Sequence, residues 1–401
     1  MESKRLLILG GSRYLRPVIK EAHKLGIYVI TCDYLPDNYA HSISDEYVNV
    51  SIIDKEAVLE KAKELNIDGV MSFACDPGVT TAAYVAEKLN LPSVGSYESV
   101  CILQNKGRFR KFLTDNGFNV PVAKSYNNID DALKDIDIFN WPVIVKPTDS
   151  AGSKGVTRVD NKEDLKQSIK HALSFSHCNE FIIEDFLQQK GFSSDCDSFS
   201  IDGKMVVTNF ASQWFDKNAD NPYTPSAMTW PSSISENNQK ELTNEIQRLI
   251  NLLNLKTSIY NIETRECING KAYIMELSPR GGGNRLAEMC ERIYGTNMIE
   301  NAVRAAVGLE LVEMKKEESK SYWGEIVLHS EKDGIFNRLE IDESIVDNVV
   351  ENDLWVEPGD KVYGFTGANQ TIGTLIVKFD NEKDLYDLMN NQDKYIKVIC
   401  E

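Results

Sequence analysis

The chain has 401 residues, 42% hydrophobic and 26% charged, which excludes a disordered tail, a collagen-like repeat and a small disulfide scaffold. Its 44 basic and 61 acidic residues leave a net charge of −17, a balance that repels phosphate backbones and argues against nucleic-acid binding. No apolar run reaches the roughly 20 residues that span a bilayer, so no membrane partner is expected. The opening MESKRLLILGG has a strand-length apolar run rather than the order of a signal peptide. The eight cysteines are dispersed, none in a C-x-x-C pair, and read as reduced thiols of a cytoplasmic protein without a zinc site.

Four units follow in chain order. Residues 1–104 alternate strand and helix: Arg5–Leu9, a glycine turn at Gly10-Gly11-Ser12, a helix with Leu15, Val18, Ile19 and Ala22 on one face, then Tyr28–Cys32 ending at Asp33. Two further helix–strand units, ending near Phe73 and Val94, predict a parallel α/β sheet. Residues 105–187 open with a basic helix, Lys106–Leu113. The strand Pro142–Lys146 then enters the Ser/Gly-rich loop 149–156, and the unit closes with a helix and the strand Phe181–Glu184. Residues 188–315 hold two hairpins marked by Asp202-Gly203 and Asn269-Gly270, the strongest short-range hairpin signals. Residues 316–401 form a last α+β unit. The segment from Trp214 to Trp230 has no helical period and reads as a loop, either facing substrate or plain surface.

Gly10-Gly11-Ser12 followed by Asp33 invites comparison with a dinucleotide site, but the spaced second and third glycines are missing. A better candidate is Lys146 at a strand end, facing a loop whose Ser150, Gly152, Ser153, Gly155 and Val156 leave backbone amides free to approach phosphate oxygens. Lys106 is a candidate second phosphate contact. In Glu184-Asp185-Phe186-Leu187, Glu184 could accept from a purine amino group while main-chain groups near Asp185 and Leu187 pair with the base. The Asn269-Gly270 turn sets Glu263 opposite Glu276, and Ser278 lies two residues on, sharing a face with Glu276. Facing carboxylates with no nearby lysine ask for a cation. Hard oxygen donors point to magnesium, with manganese as the alternative. Arg280, followed by three glycines, could stand over the charge of a phosphoryl group in transfer.

In this order the motifs resemble the ATP-grasp superfamily, over nearly the whole chain. The resemblance implies an ATP-grasp architecture: an N-terminal parallel-sheet precursor domain, two ATP-clasping subdomains and a small C-terminal domain. It also implies residue roles. Lys106 and Lys146 would bind ATP phosphates under the 150–156 loop; Glu184, Asp185, Phe186 and Leu187 would hold adenine; Glu263, Glu276 and Ser278 would ligate Mg2+; and Arg280, with Lys146, would stabilise the transferred phosphoryl. Ser278 stands where the family usually has asparagine. No acid lies near Ser193, where the family's ribose ligand is expected, and Asp195 is the substitute in reach. Gly282, Gly283, Asn284 and Arg285 would line the acceptor site, Arg285 facing a substrate carboxylate. The implied reaction is ADP-forming ligation of a small carboxylate to an amine through an acyl phosphate. A bicarbonate-using carboxylase or carbamoyl-phosphate type of enzyme, or outside the family a nicotinamide dehydrogenase, are the alternatives. A homodimer is implied by family analogy alone.

Overall fold

The computed structural model describes residues 3–150, 152–219 and 221–401. Its N-terminal sheet is all parallel, in the order Glu46–Asn49, Tyr28–Asp33, Arg5–Leu9, Gly69–Ser72. Side chains alternate across a strand, so the continuous run Leu6–Leu9 feeds two cores. Leu6 and Ile8 join Val29 and Met71 on one face, and Leu7 and Leu9 join Ile30 and Val70 on the other. A sheet buried on both faces explains why these strands are apolar throughout. The edge strand Glu46–Asn49, partly exposed and polar, left no such trace in the sequence, and Val94 lies outside any strand. The helix Asp76–Leu89 has Pro77 in its first turn and ends on Asn90 in the left-handed conformation, start and stop devices that match their residue types.

The second unit is an antiparallel sheet, Ala123–Tyr126, Phe181–Asp185, Val143–Pro147, Thr157–Val159, with the helices Ile129–Lys134 and Leu165–Leu173 packed into its core. The third sheet runs Lys204–Val207, Ser194–Ile201, Ser258–Glu266, Ala272–Ser278, backed by the helix Glu236–Leu252, whose Leu242, Ile246 and Leu249 are buried against it. Both glycine turns form the hairpins read from sequence. The segment 214–230 differs from its expected loop. Ser212–Phe215 and Pro225–Trp230 pair as a hairpin, and the second of these strands joins Tyr322–Leu328. The resulting five-stranded sheet continues through Gly373–Phe379 to Val349–Leu354, so it crosses the boundary expected at 315–316. Alternation was masked there because Ser226, Ala227, Met228, Thr229 and Trp230 are all buried. No helix among the described residues is long and apolar enough to cross a membrane, and all eight cysteines are free.

Candidate active site

The hairpin around Asn269-Gly270 pairs Asn261 with Ser278 and Glu263 with Glu276, and a bulge follows Glu263. Directly opposed residues share a sheet face, so the two carboxylates stand side by side, each about one-third exposed. Their charge is not bare, which corrects the premise that no cation is near. Lys106 Nζ lies 3.5 Å from Glu276 Oε2, and Arg265 Nη2 lies 3.3 Å from Glu263 Oε1. Lys106 also donates to the carbonyl of Ser150 at 2.8 Å. One ammonium thus ties the acidic pair to the root of the glycine-rich loop. Asn105 caps the helix Lys106–Asp115 through Arg108 N–H, and Lys106 N–H donates to Thr148 O at 2.9 Å, which fixes where that ammonium begins.

Lys146 and Glu184 come from neighbouring strands, Val143–Pro147 and Phe181–Asp185, and meet at 2.7 Å. Arg110 Nε lies 2.8 Å from the other oxygen of Glu184. Both acid and arginine side chains are under 5% exposed. Burial raises the Glu184 carboxyl, but Arg110 and Lys146 outweigh it and hold the group at about 2. Burial lowers Lys146, with Arg110 and Lys106 adding to it against the pull of Glu184. This corrects the adenine role assigned to the Glu184 side chain, because each of its oxygens already lies against a cation. Glu184 positions Lys146 instead. Asp185 accepts from Asn140 N–H and Nδ2 at 2.8 and 2.7 Å, and its own N–H donates to Val122 O. Phe186 N–H donates to Pro142 O, and the Arg158 guanidinium lies 4.4 Å from the Phe186 ring centre. Leu187 N–H has no partner among the described residues, so it stays available to a base.

In the loop, Gly152, Ser153 and Gly155 have φ of 67°, 58° and 71°, a left-handed run that favours glycine. Ser153 Oγ donates to Tyr223 O at 3.0 Å, linking the loop to the stretch before the strand Pro225–Trp230, while Val156 leads into the strand Thr157–Val159. The loop is rooted at Asp149, whose carboxylate accepts from His177 N–H, Cys178 N–H and Ser176 Oγ.

Arg280 is held in place by a residue that motif reading missed. Asp76, the first residue of the helix after the parallel strand Gly69–Ser72, accepts from Arg280 Nε at 2.9 Å and Nη2 at 2.7 Å. Ser278 Oγ donates to the same Asp76 at 2.9 Å and accepts from Gln104 Nε2 at 2.9 Å. With Ser278 only 1% exposed, its hydroxyl is part of this network, and the metal role assigned to it is corrected. Burial opposes the ionisation of Asp76, and Arg280 overcomes it to keep the acid below its ordinary range. Asp76 was readable as a helix-opening acid at the carboxyl edge of a parallel sheet, the place where such sheets bind ligands.

A second missed acid, Asp197, is fully buried. Both of its oxygens accept from Gly282 N–H at 2.9 Å, and burial pushes it up to about 7. A Cβ on Gly282 would meet Leu286, Asn261 and Asp197 within 2.9 Å, so the close approach requires glycine there. Asn261 Nδ2 bridges Asp197 and Asp195, at 3.2 and 2.7 Å. Asp195, expected at a ribose, stands opposite Glu263; burial, Glu263 and Asp197 all raise it. The structure sets Asp195 beside Glu263. Gly283 borders open space, where a Cβ would meet nothing within 4 Å among the described residues. Asn284 Oδ1 accepts from Tyr14 at 3.2 Å. Arg285 is corrected as a ready partner for a substrate carboxylate, since it already pairs with Glu351 at 2.7 Å and Glu288 at 3.2 Å.

No cluster of three or more histidine, cysteine or acidic side chains suited to a metal occurs among the described residues. Glu263 and Glu276 nevertheless fit magnesium, which takes one or two carboxylates and completes its shell with waters and phosphate oxygens. The dinucleotide alternative fails on space. A Cβ on Gly11 would meet Asn38 at 2.6 Å and His41 at 2.8 Å, so these side chains fill the approach a pyrophosphate would need.

Residues 139–291 match the family model for the ATP-grasp domain. Among curated proteins, the large chain of carbamoyl phosphate synthase from Pseudothermotoga lettingae is 26% identical over 292 residues, 72% of this chain and 26% of that one. The chain thus spans about a quarter of that relative. The formate-dependent phosphoribosylglycinamide formyltransferase of Prochlorococcus marinus is 24% identical over 78% of both chains. Among solved structures, L-amino acid ligase from Bacillus licheniformis superposes over the full length of both chains with a TM-score of 0.79 at 20% identity. The chain carries an ATP-grasp domain, and its architecture is the ATP-grasp fold from the N-terminal parallel sheet to the C-terminal strands.

Proposed function

We propose that this protein is an ATP-dependent carboxylate–amine ligase that forms ADP and phosphate through an acyl phosphate. The observation that carries the reading is Lys106, whose ammonium links the acidic pair at Glu276 to the loop root at Ser150. That loop would close over a triphosphate, with Leu187 N–H left for the base and Lys146, steered by Glu184, for phosphate oxygens. Magnesium held by Glu263 and Glu276, or manganese with the same donors, would offset phosphate charge. A substrate carboxylate oxygen attacks the γ-phosphorus, the bond to the bridging oxygen breaks, and ADP leaves with the electron pair. The amine nitrogen then attacks the acyl carbon, phosphate departs as the C–N bond forms, and the surplus proton passes to water. Lys146 and Arg280 would stabilise the moving charge, and such preorganised groups supply most of the rate in phosphoryl transfer. Asp76, Ser278 and Gln104 keep Arg280 at one angle for this task.

Similarity to a carbamoyl phosphate synthase chain supports a second reading, in which bicarbonate is the carboxylate. Phosphate release from ATP, screened with amino acids and small carboxylates and followed by mass spectrometry of products, tests both. The ligase reading expects release that needs a carboxylate and an amine together, and Lys146→Ala should lower it about a hundredfold or more. Release with bicarbonate alone favours the second reading. Normal turnover by Lys146→Ala, or no release with any pair, overturns the ligase.

A further inference from the structure

The five-stranded sheet carries an ionisable group that the chemistry above does not use. Glu325 is fully buried, and neither of its carboxylate oxygens has a hydrogen-bond partner among the described residues. Gln213, Met228, Glu325 and Ile376 form one row across four strands, and Glu351 continues it opposite Ile376. Met228 and Ile376 pack in one cluster with Leu286, Met289 and Cys290 of the helix Leu286–Tyr294. The row therefore faces the start of that helix, where the Gly281–Arg285 stretch arrives from the candidate reactive centre. Arg285 confirms the direction: it donates at 3.2 Å to Thr374, two residues from Ile376 and so on the same face.

Three units meet at this point. Tyr14, from the N-terminal unit, donates to Asn284 Oδ1 and accepts from the Thr371 hydroxyl, both at 3.2 Å, and its ring packs edge-on against Trp355 at 5.5 Å. The charged or titratable groups on the face of Glu325 are Tyr14, Arg285, Glu288 and, at the end of its row, Glu351. None of these neutralises it. Arg285 is paired with Glu288 and Glu351, and Tyr14 directs its hydrogen bonds elsewhere. Burial pushes the Glu325 carboxyl up to about 8, with Arg285 opposing and Glu288 adding to the rise.

An isolated buried carboxylate is costly unless a cation meets it. Glu288 and Glu351 are committed to Arg285, so one acid remains, too few for a divalent metal. The Tyr14 ring beside Glu325 suits an organic cation, while the Trp355 ring already carries the Arg13 guanidinium at 5.3 Å. We propose that Glu325 anchors the charged amino group of the amine substrate, between the sheet face and the Tyr14–Asn284 contact. The assignment rests on the ligase reading for its place in the reaction; as a binding site for an organic ammonium it is tested apart from turnover.

The experiment compares wild type, Glu325→Gln and Tyr14→Phe, each checked for folding by thermal melting. Binding of the standard L-amino acids and of simple alkylamines is measured calorimetrically, and the KM values for amine and for ATP are measured wherever turnover exists. Losing a charge-assisted hydrogen bond should weaken amine binding and raise the amine KM roughly tenfold or more in Glu325→Gln, with the ATP KM unmoved. Tyr14→Phe should raise the amine KM about two- to threefold, and it keeps the test alive should Glu325→Gln fail to fold. In wild type, amine binding should tighten between pH 6.5 and about 8.5 as Glu325 ionises, and Glu325→Gln should flatten that profile. A structural role alone would not change its slope. A folded Glu325→Gln with unchanged amine binding and an unchanged pH profile overturns the proposal and leaves the ligase intact. Amine binding that depends on Glu325 without any turnover supports the site and overturns the ligase reading. Absence of amine binding to wild type together with absence of turnover overturns both.

Discussion

Two buried glutamates of this chain meet opposite fates. Glu184, in the unit that carries the glycine-rich loop, has a cation on each oxygen and is held at about 2. Glu325, in the C-terminal sheet, is equally buried, has no partner among the described residues, and is pushed up to about 8. Burial acts on both in the same direction, so the difference comes from what stands beside them. A neutralised acid serves as a fixed brace, here for Lys146. An unsatisfied one is a place where a ligand can alter the charge balance. The same contrast runs through the reactive centre, where Asp76 is kept ionised by Arg280 while Asp197, which only receives the Gly282 N–H and the Asn261 amide, is pushed up.

The contrast is broken most severely by removing a brace. Arg110→Ala leaves Glu184 buried with one cation, and truncating one member of a buried pair costs about 3–5 kcal/mol. Urea denaturation near neutral pH should show that loss, and ATP turnover should fall with it because Lys146 loses its fixed position. An unchanged unfolding midpoint would mean that Glu184 does not depend on Arg110. A smaller effect should appear as pH dependence. The depressed Glu184 contributes stability that is present above its ordinary value of 4.5 and is lost as pH falls toward about 2. For the raised Glu325 the sign reverses: its contribution is most favourable below 4.5 and declines as pH rises to about 8. Denaturation midpoints across that range should therefore show an alkaline decline that Glu325→Gln reduces. An equal decline in wild type and variant would remove Glu325 as its source.

What could be read from sequence follows from the range of the interactions involved. The opposition of Glu263 and Glu276 was legible because Asn269-Gly270 sets a hairpin register within fourteen residues of chain (263 to 276). The parallel sheet was legible because strands buried on both faces must be apolar throughout. Arg110 with Glu184, and Asp76 with Arg280, were not, since 74 and 204 residues separate the partners and no local pattern records them. For the same reason Glu184 and Ser278 received ligand roles in sequence that their long-range partners occupy in the fold. The hairpin within 212–230 was hidden by burial on both faces, and with it the sheet on which Glu325 lies.

The central claim is that Glu263 and Glu276 hold a divalent cation against a triphosphate that Lys106 and Lys146 approach from the neighbouring unit. Its most direct test is equilibrium binding of ATP at increasing magnesium, in wild type and in the folded double variant Glu263→Gln/Glu276→Gln. Wild type should show ATP affinity that rises with magnesium, and the double variant should lose most of that dependence. Equal magnesium dependence in the two proteins would contradict the account.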